Sequence, residues 1–226
     1  MTYTELEAAA AEDARRRWAA LSDDERREFL RGRMADNPPD DTELANAYIE
    51  YVATVSPDWM AMSFCAAGFL TWLCSDRKPR VVADFGSGFS SFVLRRYAAR
   101  SGAQVISVDD SAEWLDKTRE FLERYDLATD GLMLWDDWAT SDGPRLDLAF
   151  HDLASGDLRE SSMWKIADRM RVGGLIVFDD AQHEGHMREM TAVGNAHGWS
   201  LACLPETIDG NGRFEAMMVC RASSTP

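Results

Sequence analysis

Two hydrophobic rhythms divide the chain near residue 80. Before that point apolar positions recur at helical spacing. Residues 4–20 and 23–34 read as two helices, the second opened by the capping box Ser22-x-x-Glu25. Asn37-Pro-Pro39-Asp40 then breaks the chain. A third helix, over 42–55, carries Leu44, Ala47, Tyr48, Tyr51, Val52 and Val55 on one face. Pro57 opens a fourth, running to Cys74, which is apolar nearly all round and is expected to be buried on several sides. Its Trp59, Met60, Met62, Phe64, Phe69 and Trp72 read as core. Together the four helices predict an extension laid over a sheet, or a lid over a substrate.

From Arg80 short apolar runs alternate with amphipathic stretches. Val81, Val82, Ala83 and Phe85 form a buried-strand run that passes into Gly86-Ser87-Gly88, and a helix follows over Phe89–Arg100. AQVISVDD is a second strand. The helix over 111–125 sets Trp114, Leu115, Thr118, Phe121, Leu122 and Tyr125 on one stripe. GLMLWDDW gives a short third strand, RLDLAFHD a fourth, SSMWKIADRM a helix and GGLIVFDD a fifth strand. HEGHMREMTAVGNAHG is a helix ended by Gly198. WSLACLPE and RFEAMMVC, joined by the turn Asp209-Gly-Asn-Gly212, read as an antiparallel pair. The alternation predicts an α/β fold: a Rossmann-like doubly wound sheet of about seven strands, the last antiparallel, with right-handed crossovers. The helical extension would span residues 1–78 and the core 79–226.

Composition narrows the partners. With 46% hydrophobic residues in 226, the chain can bury one good-sized core. Its 24 Lys and Arg against 39 Asp and Glu give a formal charge of -15, which repels phosphate backbones and anionic lipid. Nucleic acid and membrane are therefore not expected partners, and a homodimer stays open. Cys65, Cys74, Cys203 and Cys220 lie in apolar runs without CxxC pairing, as buried reduced thiols do. The acidic N-terminal stretch lacks an apolar signal core, and the expected location is cytoplasmic.

Strand, glycine turn and helix together offer a helix N-terminus to a nucleotide-like ligand. Acids then follow nearly every strand: Asp109 and Asp110, Asp136 and Asp137, Asp152, Asp179 and Asp180. In a doubly wound sheet this is the ligand-binding edge. On these residues the chain, from about Arg80 onward, resembles the class I S-adenosylmethionine-dependent methyltransferases. DFGSGFS is similar to their first motif, with Ser90 where many members have a third glycine. The resemblance implies a cofactor cradle of Asp84, Gly86, Ser87 and Gly88, with Asp109 on the ribose hydroxyls. It sets Asp136 near the adenine amino group, Trp138 or Trp135 against the ring, and Asp152 at the edge of the same cradle. A carboxylate suits the ribose because it accepts two hydrogen bonds from a vicinal diol.

Two mechanisms stay open. Catechol-type O-methyltransferases within the family ligate Mg²⁺ with acids after the fourth and fifth strands, where Asp152, Asp179 and Asp180 fall. Such an ion would lower the pKa of an acceptor hydroxyl. This sequence departs from that pattern, with Asp179-Asp180 for an Asp-Asn pair and no lysine soon after Asp152. The metal-free alternative uses His183 or His186 as base, with Asp180 to orient it. His151 reads as structural or as a pocket wall. Methyl transfer to a small-molecule hydroxyl is the expected reaction. Another attack on the same sulfonium cofactor would use the same cradle. A nicotinamide dehydrogenase is the further alternative, but GSGFSS lacks the third glycine of GxGxxG and no Tyr precedes a Lys by four residues. Asn37-Pro-Pro39 imitates the amide-binding motif of nucleic-acid methyltransferases but stands before the glycine turn, on the wrong side of the sheet sequence.

Overall fold

In a computed structural model of the chain, residues 22, 41–153, 156–204, 207 and 216–220 are described, the last five as backbone. The predicted helices at 4–20 and 23–34 and the Asp209–Gly212 turn lie outside them. The chain divides into two compact units, Met1–Ala61 and Met62–Pro226. The sequence pattern set this division at residue 78; the structure sets it before the last of the leading helices.

The first unit contains helix α1, Thr42–Thr54. Asp41 caps it, its carboxylate accepting the Leu44 N–H at 2.9 Å. Leu44, Ala47, Tyr48, Tyr51 and Val52 are all buried, as the helical spacing predicts.

In the second unit helix α2 spans Phe64–Arg77. It begins seven residues later than Pro57 suggests, because Ser63 is its cap. The Ser63 hydroxyl accepts the Ala66 N–H at 3.0 Å and donates to the Thr207 carbonyl at 3.0 Å. Only one face of α2 is buried, through Ala66, Ala67, Leu70, Leu73 and Cys74. Trp72, 55% exposed, corrects the expectation of burial on several sides. Small residues on the inner face let α2 lie close to the helix that follows the first strand.

The sheet is built from β1 Val81–Phe85, β2 Gln104–Asp109, β3 Leu132–Leu134, β4 Leu146–His151, β5 Met170–Phe178, β6 Ser200–Leu204 and β7 Ala216–Cys220. Between them run helices α3 Phe89–Ser101, α4 Ala112–Glu123, α5 Trp135–Thr140, α6 Asp157–Arg169 and α7 Glu184–Ala196. The strand order is β3-β2-β1-β4-β5-β7-β6. The first five strands pair in parallel, and β7 runs antiparallel to both β5 and β6. The order reverses between β1 and β4, so the carboxyl ends of these neighbours flank the switch point. Every residue of β1 is buried, consistent with a central strand covered on both faces. One core cluster joins Phe85, Val108, Ala149, Ile176 and Phe178 of the strands to Met163, Ile166, Met190 and Val193 of α6 and α7. Among the described residues no helix is long and apolar enough to cross a membrane.

Candidate active site

The glycine turn is fixed from three sides. Gly86 adopts φ +98°, and a Cβ there would stand 2.2 Å from the Asp152 carbonyl oxygen, so no other residue fits without moving β4 from β1. The Gly86 N–H donates to Val108 O at 2.8 Å, and the Asp152 N–H donates to Phe85 O at 2.6 Å. The ends of β1, β2 and β4 are thus joined at this point. Gly88 caps α3, its N–H 3.4 Å from the Ser91 hydroxyl, which in turn donates to the Asp84 carboxyl. Asp84 is wholly buried, and burial raises its pKa to about 7 against the hydrogen bonds from Ser91 and Ser90 that lower it.

Asp109, at the end of β2 and only 5% exposed, ties down the same turn. Its Oδ2 accepts both the N–H and the hydroxyl of Ser87, at 2.7 and 2.8 Å, and Thr118 donates to the Ser87 hydroxyl at 3.2 Å. Its Oδ1 accepts the Ser111 N–H at 2.9 Å. Burial lifts the Asp109 pKa and these bonds oppose the rise. The Oδ1 lone pair left over can accept one ligand hydroxyl; a bidentate grip on a diol would displace Ser87. Asp110 beside it is exposed.

The third strand is followed at once by helix α5, so Asp136 and Asp137 sit exposed in a first helical turn. Trp138 is a correction. It is 2% exposed, its ring edge-on to Phe85 at 4.6 Å, stacked on Trp135 at 5.3 Å and covered by the Arg169 guanidinium at 4.4 Å. No ring face is left for a ligand, because spacing along a one-turn helix aims both tryptophans into the core. Trp135, 9% exposed, shares that core position.

At the ends of β4 and β5 the acids gather around a residue that motif reading passed over. Arg159, in the first turn of α6 and 3% exposed, places Nη2 2.8 Å from Asp152 Oδ1 and 3.0 Å from Asp180 Oδ2. The same nitrogen lies 3.4 Å from the Asp179 carbonyl. Burial raises Asp152 to about 6, with Arg159 pulling it down and Asp180 pushing it up. Asp179, 1% exposed, is held well above the usual carboxylate range by burial and then by the charges of Asp152 and Asp180. Its Oδ1 accepts the Asp180 N–H at 2.9 Å. Asp180 itself holds φ +61°, in the left-handed region that few non-glycine residues adopt.

His183 caps α7 with Nε2 3.9 Å from Asp180 Oδ1, an ion-pair distance and not a hydrogen bond. His186, one turn on, meets the His183 ring edge-on at 5.5 Å. Its Nδ1 is buried with no hydrogen-bond partner, and burial and then the Arg159 charge lower its pKa. His151 is wholly buried. Its Nε2 lies 2.8 Å from the Ser162 hydroxyl, which also reaches Arg159 O at 2.8 Å. Burial and Arg159 keep that imidazole neutral.

The acids do not fit the Mg²⁺ that the resemblance implies. Among the described residues no three His, Cys, Asp or Glu side chains are grouped to hold a metal ion. Asp152 and Asp180 are instead directed at a guanidinium. For the methyl-donor cofactor the fit is better: a glycine turn under a helix N-terminus, an Asp109 oxygen with a lone pair to spare, and exposed carboxylates at the ends of β2 and β3.

No protein-family model and no curated protein matches the sequence. Solved structures do. An O-methyltransferase from Bacillus cereus in complex with S-adenosylhomocysteine superposes with TM-score 0.65 at 16% identity, covering 87% of this chain and 97% of that one. An S-adenosylhomocysteine-bound methyltransferase from Podospora anserina gives 0.64 at 16%, covering 87% and 95%. An O-methyltransferase from Streptomyces achromogenes involved in tomaymycin synthesis, bound to S-adenosylmethionine, gives 0.62 at 13%, covering 90% and 100%. This chain shares its fold with these solved methyltransferases.

Proposed function

We propose that this chain, having that fold, is an enzyme that transfers a methyl group from S-adenosylmethionine to a hydroxyl of a small molecule. The observation that carries the reading is the Ser87–Asp109 clasp, which locks the glycine turn at the switch point of a sheet shared with cofactor-bound methyltransferases. Gly86, Ser87 and Gly88 would cradle the cofactor, Asp84 would hold their shape through Ser91, and Asp109 Oδ1 would take a ribose hydroxyl. Asp136 would face the adenine amino group. The cofactor supplies an electrophilic methyl on a sulfonium, so what remains for the protein is positioning and removal of one proton.

His186 is the proposed base. Burial and the Arg159 charge lower its pKa, so the neutral imidazole would have one ring nitrogen able to receive the acceptor's proton. Asp180 would orient His183 beside it, and Asp152 would border the cofactor cradle through the carbonyl packed on Gly86. The sulfonium would be favoured by the carboxylates of Asp152 and Asp180. The test is incubation with methyl-labelled S-adenosylmethionine and a panel of phenols and catechols, read by mass spectrometry. Label in an acceptor with one equivalent of S-adenosylhomocysteine supports the reading. A product formed from the cofactor alone would assign the chain to the other sulfonium chemistry.

A further inference from the structure

A buried cation in the first turn of a helix is doubly disfavoured: the helix dipole opposes it there, and dehydration penalises it anywhere. Arg159 accepts both conditions. Its neighbours in that turn, Asp157 and Glu160, are the residues the dipole prefers. What holds the guanidinium is the strand ends. One nitrogen, Nη2, takes Asp152 Oδ1 at 2.8 Å, Asp180 Oδ2 at 3.0 Å and the Asp179 carbonyl at 3.4 Å. A single positive centre thus gathers three oxygens from β4 and β5, which is the arrangement a small hard cation would otherwise collect.

We propose that the Arg159 guanidinium occupies the place of a divalent cation between Asp152 and Asp180, making the site independent of metal and Arg159 its positioning residue. The inference rests on the methyltransferase reading in treating these strand ends as the reaction centre. Its consequence is specific. N–H···O contacts of 2.8 and 3.0 Å keep the carboxylates farther apart than the roughly 2.0–2.6 Å metal–oxygen bonds of Mg²⁺ or Ca²⁺ would. While the guanidinium is present, the carboxylates cannot close on an ion. Once it is removed, two carboxyl groups and a carbonyl are left in a space that a hydrated cation can enter. Through Asp152 the guanidinium braces the cradle at Gly86, and through Asp180 it braces the turn that leads to His183 and His186.

Mn²⁺ is the probe, because oxygen ligands suit it and its free form is counted by electron paramagnetic resonance. Wild type and Arg159→Lys are expected to leave Mn²⁺ unbound at micromolar concentrations, and EDTA is expected to leave wild-type turnover unchanged. Arg159→Ala is expected to melt at lower temperature and to bind one Mn²⁺ per chain, recovering part of the lost stability. Adding Asp152→Asn to Arg159→Ala should abolish that recovery. A folded Arg159→Ala that takes no Mn²⁺ overturns the proposal. If Arg159→Ala does not fold, wild type decides: one Mn²⁺ bound per chain and lost in Asp152→Asn overturns it, and no bound Mn²⁺ supports it. S-adenosylhomocysteine calorimetry on the same wild-type preparation keeps the two readings apart. Failure to bind that ligand would count against the methyltransferase reading and leave the metal result standing.

Discussion

Asp84 shows how much a single buried carboxyl can cost. With a folded-state pKa of about 7 and an ordinary value of 3.8, it binds its proton more tightly folded than unfolded. The stability this confers is full below about pH 4 and is lost as pH rises through about 7, a penalty of about 4 kcal/mol above both values. Asp84→Asn keeps an acceptor for Ser91 and removes the titration. Denaturant melts between pH 5 and 8 should show wild type losing more stability with rising pH than the variant; parallel losses would contradict this. His186 makes the opposite kind of prediction, because its pKa is lowered. Turnover should rise with pH along a limb below the usual histidine value near 6.5 and be flat by neutrality. His186→Ala should reduce kcat by about 10²–10⁴-fold and erase that limb. Motif reading singled out Asp84 from the glycine-turn motif, Asp109 from its spacing after that turn, and His183 with His186 from their place just past Asp180. Arg159 was not legible in this way. Its one signal was a cation in a helix's first turn, which gains meaning only when β5 brings Asp180 to it.

At the scale of elements, hydrophobic period fixed strand and helix identity well, and boundaries failed where a cap decided them. The start of α2 moved to Phe64 because the Ser63 hydroxyl has two partners, one of them 144 residues away, which no local window contains. Trp138 was misplaced for a related reason. A short strand running straight into the one-turn helix α5 rotates its side chains by helical and not strand periodicity, so Trp135 and Trp138 both turn inward. The junction of β1, β2 and β4 at Gly86 is the element-scale prediction. Gly86→Ala adds strain at φ +98° and a contact of 2.2 Å to Asp152 O, neither of which a flexible side chain can relieve. Thermal denaturation should show a loss of roughly 3 kcal/mol or more, while Gly102→Ala, with φ +74° but nothing within 4 Å, should lose less. Equal losses would show that backbone strain alone, and not the β1–β4 junction, governs the site.

At the scale of the whole molecule, the alternation of strands and helices predicts a doubly wound sheet of about seven strands with an antiparallel last strand, and the structure supplies the order β3-β2-β1-β4-β5-β7-β6. The division at Ala61 does not follow from them, since α2 joins the sheet unit through its small-residue face. What the topology does for function is bring the ends of β1, β2, β4 and β5, far apart in sequence, to one edge. The acids there are not equivalent. Asp109 clasps the glycine turn, Asp152 and Asp180 share a guanidinium, and Asp179 is buried with its pKa raised.

The claim that this edge is a methyl-donor site is tested most directly by calorimetry with S-adenosylhomocysteine on wild type and Asp109→Ala, with NADH as the comparison ligand. Wild type should bind S-adenosylhomocysteine and not NADH. Asp109→Ala removes both the clasp on Ser87 and the ribose acceptor, and should weaken binding by roughly 1.5–3 kcal/mol, about ten- to a hundred-fold or more. Wild-type affinity retained in Asp109→Ala, or NADH bound in place of S-adenosylhomocysteine, would contradict the account.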